Sequence, residues 1–484
     1  MSGIALGQPR GQTAIPGSNL SREADPLLRL AMASATAAAT LPFAIAALGA
    51  VEASPVAYGS LVVWQLRGMI YGPLIMLVVT VSAARFQVGK ATYWAWSLVF
   101  LGYAPAWQIS RQRFPWRGSL AVEDIERGQT LILAGHVAFA VVAWLVSRRP
   151  PRERHAGLSA LSVQNPEAIK ERQRRVLSYL GLGYLLPSML FIALMGSALF
   201  NARAIFRARV LEISSLPFGG FLYFAVTAGA IVIPGALLAC QLHAVKVPGW
   251  LVAGCWLAAA VVTNPLVGSR FLTGSFLVAT AVAVLCYSNL LRLVPAGSVA
   301  LLMVVFPSLD VLRGDDTGSR GIQLLSVQDS MLDYDFDAFE MGVREVSLDS
   351  GQRAGLPPSA QMLIAPVARW IPIAARSFEG NAGGQVVAES TGMEYTNVSM
   401  PLWAEGHLIA GAFGTLAALG ALGAWVGLTG RGIGQRFSVA QIAALPGSTA
   451  LLFIVLRGSI YEVLGYLGLA VAVYLLLSRT ENEM

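Results

Sequence analysis

The fold class this sequence predicts is an all-α polytopic membrane protein, on three observations. Of 484 residues, 55% are hydrophobic and only 13% charged, with a mean hydropathy of +0.62, too few charges to clothe a soluble globule of that size. Apolar runs of roughly 20 residues, the length that crosses a bilayer as helix, recur along the chain. The polar residues gather instead into one basic loop and one long acidic stretch. A soluble cytosolic enzyme, a nucleic-acid reader and a secreted disulfide scaffold are thereby excluded. Cys240, Cys255 and Cys286 lie in or beside apolar runs without paired spacing and read as small core residues.

Twelve spans follow in order, near 29–50, 67–84, 91–109, 129–147, 176–198, 218–240, 247–263, 271–290, 293–308, 406–428, 438–456 and 459–478. The first follows a polar tail, 1–28, with no cleavage site after it, so it reads as an anchor. The loop 148–175 holds Arg148, Arg149, Arg152, Arg154, Lys170, Arg172, Arg174 and Arg175 against three glutamates, which places it in the cytoplasm. Threading from that loop puts both tails, 1–28 and 479–484, on the same side, with Lys90, Lys170, Lys246, Arg431 and Arg436. Nine spans in 29–308 and three in 406–478 then flank a cap, 309–405, on the outer face.

That cap of 97 residues holds 14 of the 27 acidic residues and six basic ones, a balance of −8 that leaves +15 on the rest. A loop of this length is functional or disordered, and its aromatics, among them Phe336, Phe339, Trp370 and Trp403, favour a folded cap. The apolar run Met362–Ile373 predicts a re-entrant or interfacial helix. A thirteenth span is the alternative and would invert everything after it, against the placement of Arg431 and Arg436.

Arginine outnumbers lysine 31 to 3. Codon usage and interfacial snorkelling explain part of this surplus. Ten arginines, however, lie on short outer segments: Arg67, Arg111, Arg113, Arg117, Arg127, Arg203, Arg207, Arg209, Arg270 and Arg457. A planar guanidinium holds a diphosphate bidentately and remains charged at an apolar boundary, so the set fits an anionic, lipid-borne substrate. Arg67 interrupts an apolar run, and Arg270 and Arg457 stand in minimal turns between spans.

In Asp333-Tyr334-Asp335-Phe336-Asp337-Ala338-Phe339-Glu340, acids alternate with aromatics. An extended strand would put Asp333, Asp335 and Asp337 on one face, where they bind a divalent cation or raise one another's pKa. Equally, Asp337 caps a helix beginning at Ala338, with Glu340 completing a capping box. Arg369 and Arg376 precede a glycine-rich turn, Glu379–Gly384, able to approach an anion. Glu405 and His407 stand where the cap meets the tenth span and are the preferred general-base candidates.

The segments Gly-Tyr-Ala-Pro-Ala-Trp-Gln (102–108), Phe114-Pro115-Trp116, the Asp-Tyr-Asp-Phe-Asp-Ala-Phe-Glu-Met block (333–341), Ala-Arg-Trp-Ile-Pro (368–372) and Glu405-Gly406 together resemble the Wzy-type oligosaccharide repeat-unit polymerases, or O-antigen polymerases. Ala368 stands where that family typically has proline, and Arg376 where it has lysine. The resemblance implies a glycosyltransferase in the bacterial cytoplasmic membrane, active on the outer face. It would move a growing glycan from undecaprenyl diphosphate onto a lipid-linked repeat unit. In that reading Arg67, Arg270, Arg369, Arg376 and Arg457 engage the diphosphate, Glu405, His407 or Asp337 is the base, and Asp333 and Asp335 shape the acceptor site. No cofactor, metal or nucleic acid is expected; a repeat-unit flippase and a chain-length regulator are the implied partners. An O-antigen ligase or other lipid-linked-sugar transferase is the nearest alternative. A transporter or flippase, the alternative of another class, would predict internal repeats and a polar midplane path, neither evident in the sequence.

Overall fold

The computed structural model describes residues 25–54, 59–116, 118–148, 166–201, 203–265, 268–305, 327–332, 336–357, 359–368, 382–393, 398, 400–430 and 438–482. Among these every regular element is helical, and the described part of each predicted span is mostly helix. In order, α1 (Pro26–Glu52) and α2 (Ser60–Ser82) form a hairpin. α3 (Val88–Ser97), a π-helical stretch (Leu98–Tyr103) and α4 (Ala104–Arg111) make one unbroken rod. Then come α5 (Val122–Arg148), α6 (Pro166–Met195), α7 (Arg203–Ser215), α8 (Gly219–His243), α9 (Gly249–Val262), α10 (Arg270–Leu285) and α11 (Val294–Ala300). After the single turn Val327–Ser330 come four short cap helices, α12 (Ala338–Val346), α13 (Ser350–Ala354), α14 (Ser359–Ala368) and α15 (Gly383–Ser390). α16 (Leu402–Thr429), α17 (Val439–Val455) and α18 (Ile460–Asn482) end the chain.

Seven of the described helices, α1, α2, α5, α6, α8, α16 and α18, are long and apolar enough to cross a membrane; α9, α10, α17 and the stretch Asn289–Met303 are shorter apolar helices. Their ends follow local chemistry. Asp25 accepts the Leu27 N–H ahead of Pro26, and Ser438 with Gln441 forms a capping box for α17. The α3–π–α4 rod buries nearly every side chain, as does α17, so these form the centre. Outer helices keep large aliphatics exposed, among them Ile45, Ile75, Val137 and Leu186 at 59–66%, a surface suited to hydrocarbon. α5 and α16 approach closely because α16 presents glycine: a Cβ at Gly423 would stand 2.6 Å from the Phe139 carbonyl oxygen.

The bundle has two distinct ends. At one, Arg292 donates to the Val81 and Ala83 carbonyls, and Ser147 meets Gln87. At the other, Ser54 bonds the Ser110 carbonyl and the cap helices pack down, α12 on α5 and α16, and α14 on α16 and α18. Of the run 362–373, residues 362–368 lie in α14, whose 10 described residues rise about 15 Å at 1.5 Å per residue; 369–373 lie outside the described residues.

α16 is broken near its start. Gly411 has φ 60° and ψ −151°, a conformation open in practice only to glycine, and Ala410 is also non-helical. The chain therefore folds back, so that the Thr415 hydroxyl donates to the Trp403 carbonyl at 2.8 Å. The short first half, Leu402–Ile409, carries Glu405 and His407 at the cap end.

Candidate functional site

Two sequence segments far apart in the chain, 108–116 and 331–344, meet at the start of α12. The Gln108 amide donates to the Met331 and Phe336 carbonyls at 3.0 and 2.8 Å. Trp116 then reaches two acids at the start of α12: its indole N–H donates to Asp337 Oδ2 at 2.9 Å, and its backbone N–H to Glu340 Oε2 at 2.9 Å. Arg344, one turn on, donates to Glu340 Oε1 from Nε at 2.9 Å and Nη2 at 2.6 Å. The capping-box reading of Asp337 and Glu340 is thus corrected, because the Asp337 side chain makes no cap hydrogen bond. A buried carboxylate requires the strongest donors within reach, and an indole N–H and a guanidinium prevail over the helix's own amides. Burial pushes the Glu340 carboxyl above the ordinary carboxylate range, with a further push from Asp337, against the pull of Arg344 and the Trp116 N–H. Asp333 and Asp335 lie outside the described residues, among which no group of three His, Cys, Asp or Glu is placed to hold a metal ion.

The far end of α12 builds a second unit. Glu345 is fully buried, and His407 Nδ1 lies 2.7 Å from its Oε2. Arg353 completes the pair, its Nη2 3.2 Å from Glu345 Oε1, while its guanidinium also donates to the Leu348 and Glu345 carbonyls. An ionised carboxylate only accepts, so Nδ1 is the donor in this pair, and in the neutral ring Nε2 keeps its lone pair. The imidazole side chain is 17% exposed, so it reaches the surface of the site while its partner does not. His407, a predicted base, therefore has the buried orienting carboxylate that general-base histidines use.

Glu405, the other predicted base at this junction, is held differently. Its carboxylate accepts from the Gly383 N–H at 3.1 Å, from the Ser459 hydroxyl and from the Ile460 N–H. A Cβ at residue 383 would sit 2.6 Å from Glu405 Oε1, so only glycine permits this approach. Glu405 ties α15, α16 and the α17–α18 turn together, and it also lines a small cleft with Met362, Pro366, Leu408 and Tyr461.

The predicted arginines divide. Arg457, in that same α17–α18 turn, stacks on the Phe271 ring at 4.0 Å and points Nη2 toward Asp337 Oδ1 at 3.8 Å. Arg270, only 5% exposed, opens α10 one residue before Phe271. Arg67 lies apart, paired with Glu52 at 2.7 Å at the α1–α2 corner. Arg369 and Arg376 are outside the described residues. Of the other outer arginines, Arg127 pairs with Asp124, and Arg209 with Glu212 and the Leu194 carbonyl.

Sequence reasoning passed over Glu345, Arg353, Arg344, Trp116 and Ser459. The spacing of Glu340 and Arg344, i and i+4 on one helix, was a local signal for that pair. Glu345 and His407 are 62 residues apart, and no local pattern joins them. Comparison of the chain with protein-family models, with curated proteins and with solved structures finds no match.

Proposed function

We propose that this protein is a glycosyltransferase that polymerises lipid-linked oligosaccharide repeat units, with its site at the cap end of the bundle. The observation that carries this reading is the Glu345–His407 pair, whose histidine shares a half-helix with Glu405, the residue that grips the turn holding Arg457. Such transfer needs two things of the protein, a base for a sugar hydroxyl and fixed cations for a diphosphate leaving group. In this mechanism His407 Nε2 takes the proton from the acceptor hydroxyl as its oxygen bonds the anomeric carbon of the donor. The bond from that carbon to the diphosphate oxygen breaks, and the electron pair leaves with the diphosphate. Arg457 and Arg270 meet the departing charge, joined by Arg369 and Arg376 in the polymerase reading. Asp337 holds Arg457 in place, and Glu405 holds its turn.

Twelve crossings, with both tails and the basic 148–175 loop in the cytoplasm, fit this reading and put the cap on the outer face of a bacterial cytoplasmic membrane. The resemblance to Wzy-type polymerases supplies the acceptor class, a second lipid-linked repeat unit. The test is the chain in vesicles with a lipid-linked repeat unit as sole substrate. His407→Ala is expected to lower the polymerisation rate about 100-fold or more while leaving the protein's abundance unchanged. Full-rate polymer from that variant removes His407 as base; single-step transfer only to a lipid-A-type acceptor would make the protein a ligase.

A further inference from the structure

Arg457 and Asp337 face each other from two well-packed supports. Arg457 stacks on Phe271 at 4.0 Å, and the Phe271 ring continues through Phe100 to Phe336, with centroids 6.2 and 5.6 Å apart. Phe336 directly precedes Asp337, and its carbonyl accepts from the Gln108 amide at 2.8 Å. All three rings are buried, so neither support can slide far without opening a void in the core. What can still move is side chain, above all the Asp337 carboxylate about its own Cβ–Cγ bond.

That freedom matters because the two groups stop short of one another. Arg457 Nη2 stands 3.8 Å from Asp337 Oδ1, whereas a closed guanidinium–carboxylate pair stands at about 2.7–2.9 Å. Asp337 is 1% exposed and the Arg457 side chain 19%, so little solvent screens the attraction that would close the gap. The helix does not hold the carboxylate back, since α12 gives Asp337 no side-chain cap hydrogen bond. Trp116 holds it: the indole N–H reaches Oδ2 at 2.9 Å from the loop between α4 and α5. That loop is itself pinned on α12. The Trp116 backbone N–H donates to Glu340 Oε2, and Arg344 grips Oε1 of the same carboxylate. Gly118, with φ +114°, turns the loop so closely over Arg344 that a Cβ there would lie 3.3 Å from Nη2. A closed Arg457–Asp337 pair would be neutral to an arriving anion, which would first have to displace the carboxylate.

We infer that Trp116 is a positioning residue: its indole holds the Asp337 carboxylate off Arg457 and so keeps that guanidinium's charge directed at an arriving anion. The inference deepens the glycosyltransferase reading, on which it rests for the anion's being a diphosphate. Trp116 acts here through Asp337 and does not touch the ligand.

Binding of inorganic diphosphate to the full chain in lipid nanodiscs, read as Kd by calorimetry, tests it. Arg457→Ala defines the site and is expected to weaken binding about tenfold or more. Trp116→Phe keeps a ring in the loop but removes the N–H, and its Kd is expected to rise about tenfold as Asp337 closes on Arg457. Adding Asp337→Asn to Trp116→Phe removes the carboxylate that closes, so binding returns to within about threefold of wild type. A tryptophan needed only to pack the loop would instead leave the double variant as weak as the single one, or weaker. Kd is a property of folded molecules, so a lowered thermal midpoint does not imitate the rescue. Wild-type binding absent or unaffected by Arg457→Ala, an unchanged Kd in Trp116→Phe, or a double variant no tighter than Trp116→Phe would each overturn the inference. No sugar is transferred in this measurement. Rescue in a chain that makes no polymer sinks the transferase reading and leaves the role of Trp116, whereas polymer from wild type without rescue sinks that role alone.

Discussion

Two arginines at opposite ends of the bundle sit over phenylalanine rings, and their remaining partners differ. Arg292, 1% exposed, lies 5.0 Å from the Phe86 ring and gives its hydrogen bonds to the Val81 and Ala83 carbonyls. Those carbonyls close the C-terminal end of α2, so the guanidinium satisfies backbone acceptors that a helix end leaves open. Arg457 lies 4.0 Å from Phe271, its side chain is 19% exposed, and its Nη2 stands 3.8 Å from Asp337 Oδ1. One cation is locked into backbone, while the other is steered by a ring and a carboxylate and still reaches the surface. The difference separates an arginine that holds a helix end from one able to meet an anionic ligand.

The sharpest way to break this comparison is Arg457→Ala. Loss of one fixed cation at a developing charge is expected to lower the polymerisation rate about 100-fold, with the thermal midpoint little changed; a rate near wild type would put Arg457 among structural arginines. Arg292→Met should do the opposite. It strands buried carbonyls at a cost of about 1–3 kcal/mol, seen as lower abundance and an earlier thermal midpoint, while activity per folded molecule stays near normal.

A smaller effect concerns Glu340. Its carboxyl is raised by burial, so the stabilisation tied to its proton is complete below the ordinary carboxylate range, about 4.3, and is lost as the pH rises through its raised value. The stability of wild type relative to Glu340→Gln should therefore fall between acid and neutral pH. A difference that rises with pH instead would mean that Arg344 outweighs burial.

The smallest effect belongs to Arg67→Gln. Its pair with Glu52 is exposed on both sides, so less than about 1 kcal/mol of stability and no rate should be lost. A large rate loss would restore Arg67 to the diphosphate site.

Much of this was legible in the chain itself. Helix positions were, because a bilayer-length apolar run forces the backbone to satisfy its own hydrogen bonds wherever it lies. The exposed Leu363, Ile364 and Val367 of α14 were also foreshadowed, since the run Met362–Ile373 predicted an interfacial helix. Asp337 was read equally as part of an acidic face with Asp333 and Asp335 or, with Glu340, as a local capping box, and the loop bearing Trp116 overrode the capping box.

Composition and pattern alone determined the all-helical class, the gathering of acids into one cap, and the choice of His407, Glu405, Arg270 and Arg457 as residues worth following. These depend on residue type and on periodicity within a few turns. Tertiary structure decided which of them act together. It paired His407 with Glu345, turned Glu405 into a tie between three segments, brought Trp116 to Asp337 and Glu340, and left Arg67 with Glu52. Electrostatic and hydrogen-bond energies depend on distances of a few ångströms, and only the folded chain sets those between residues tens or hundreds of positions apart.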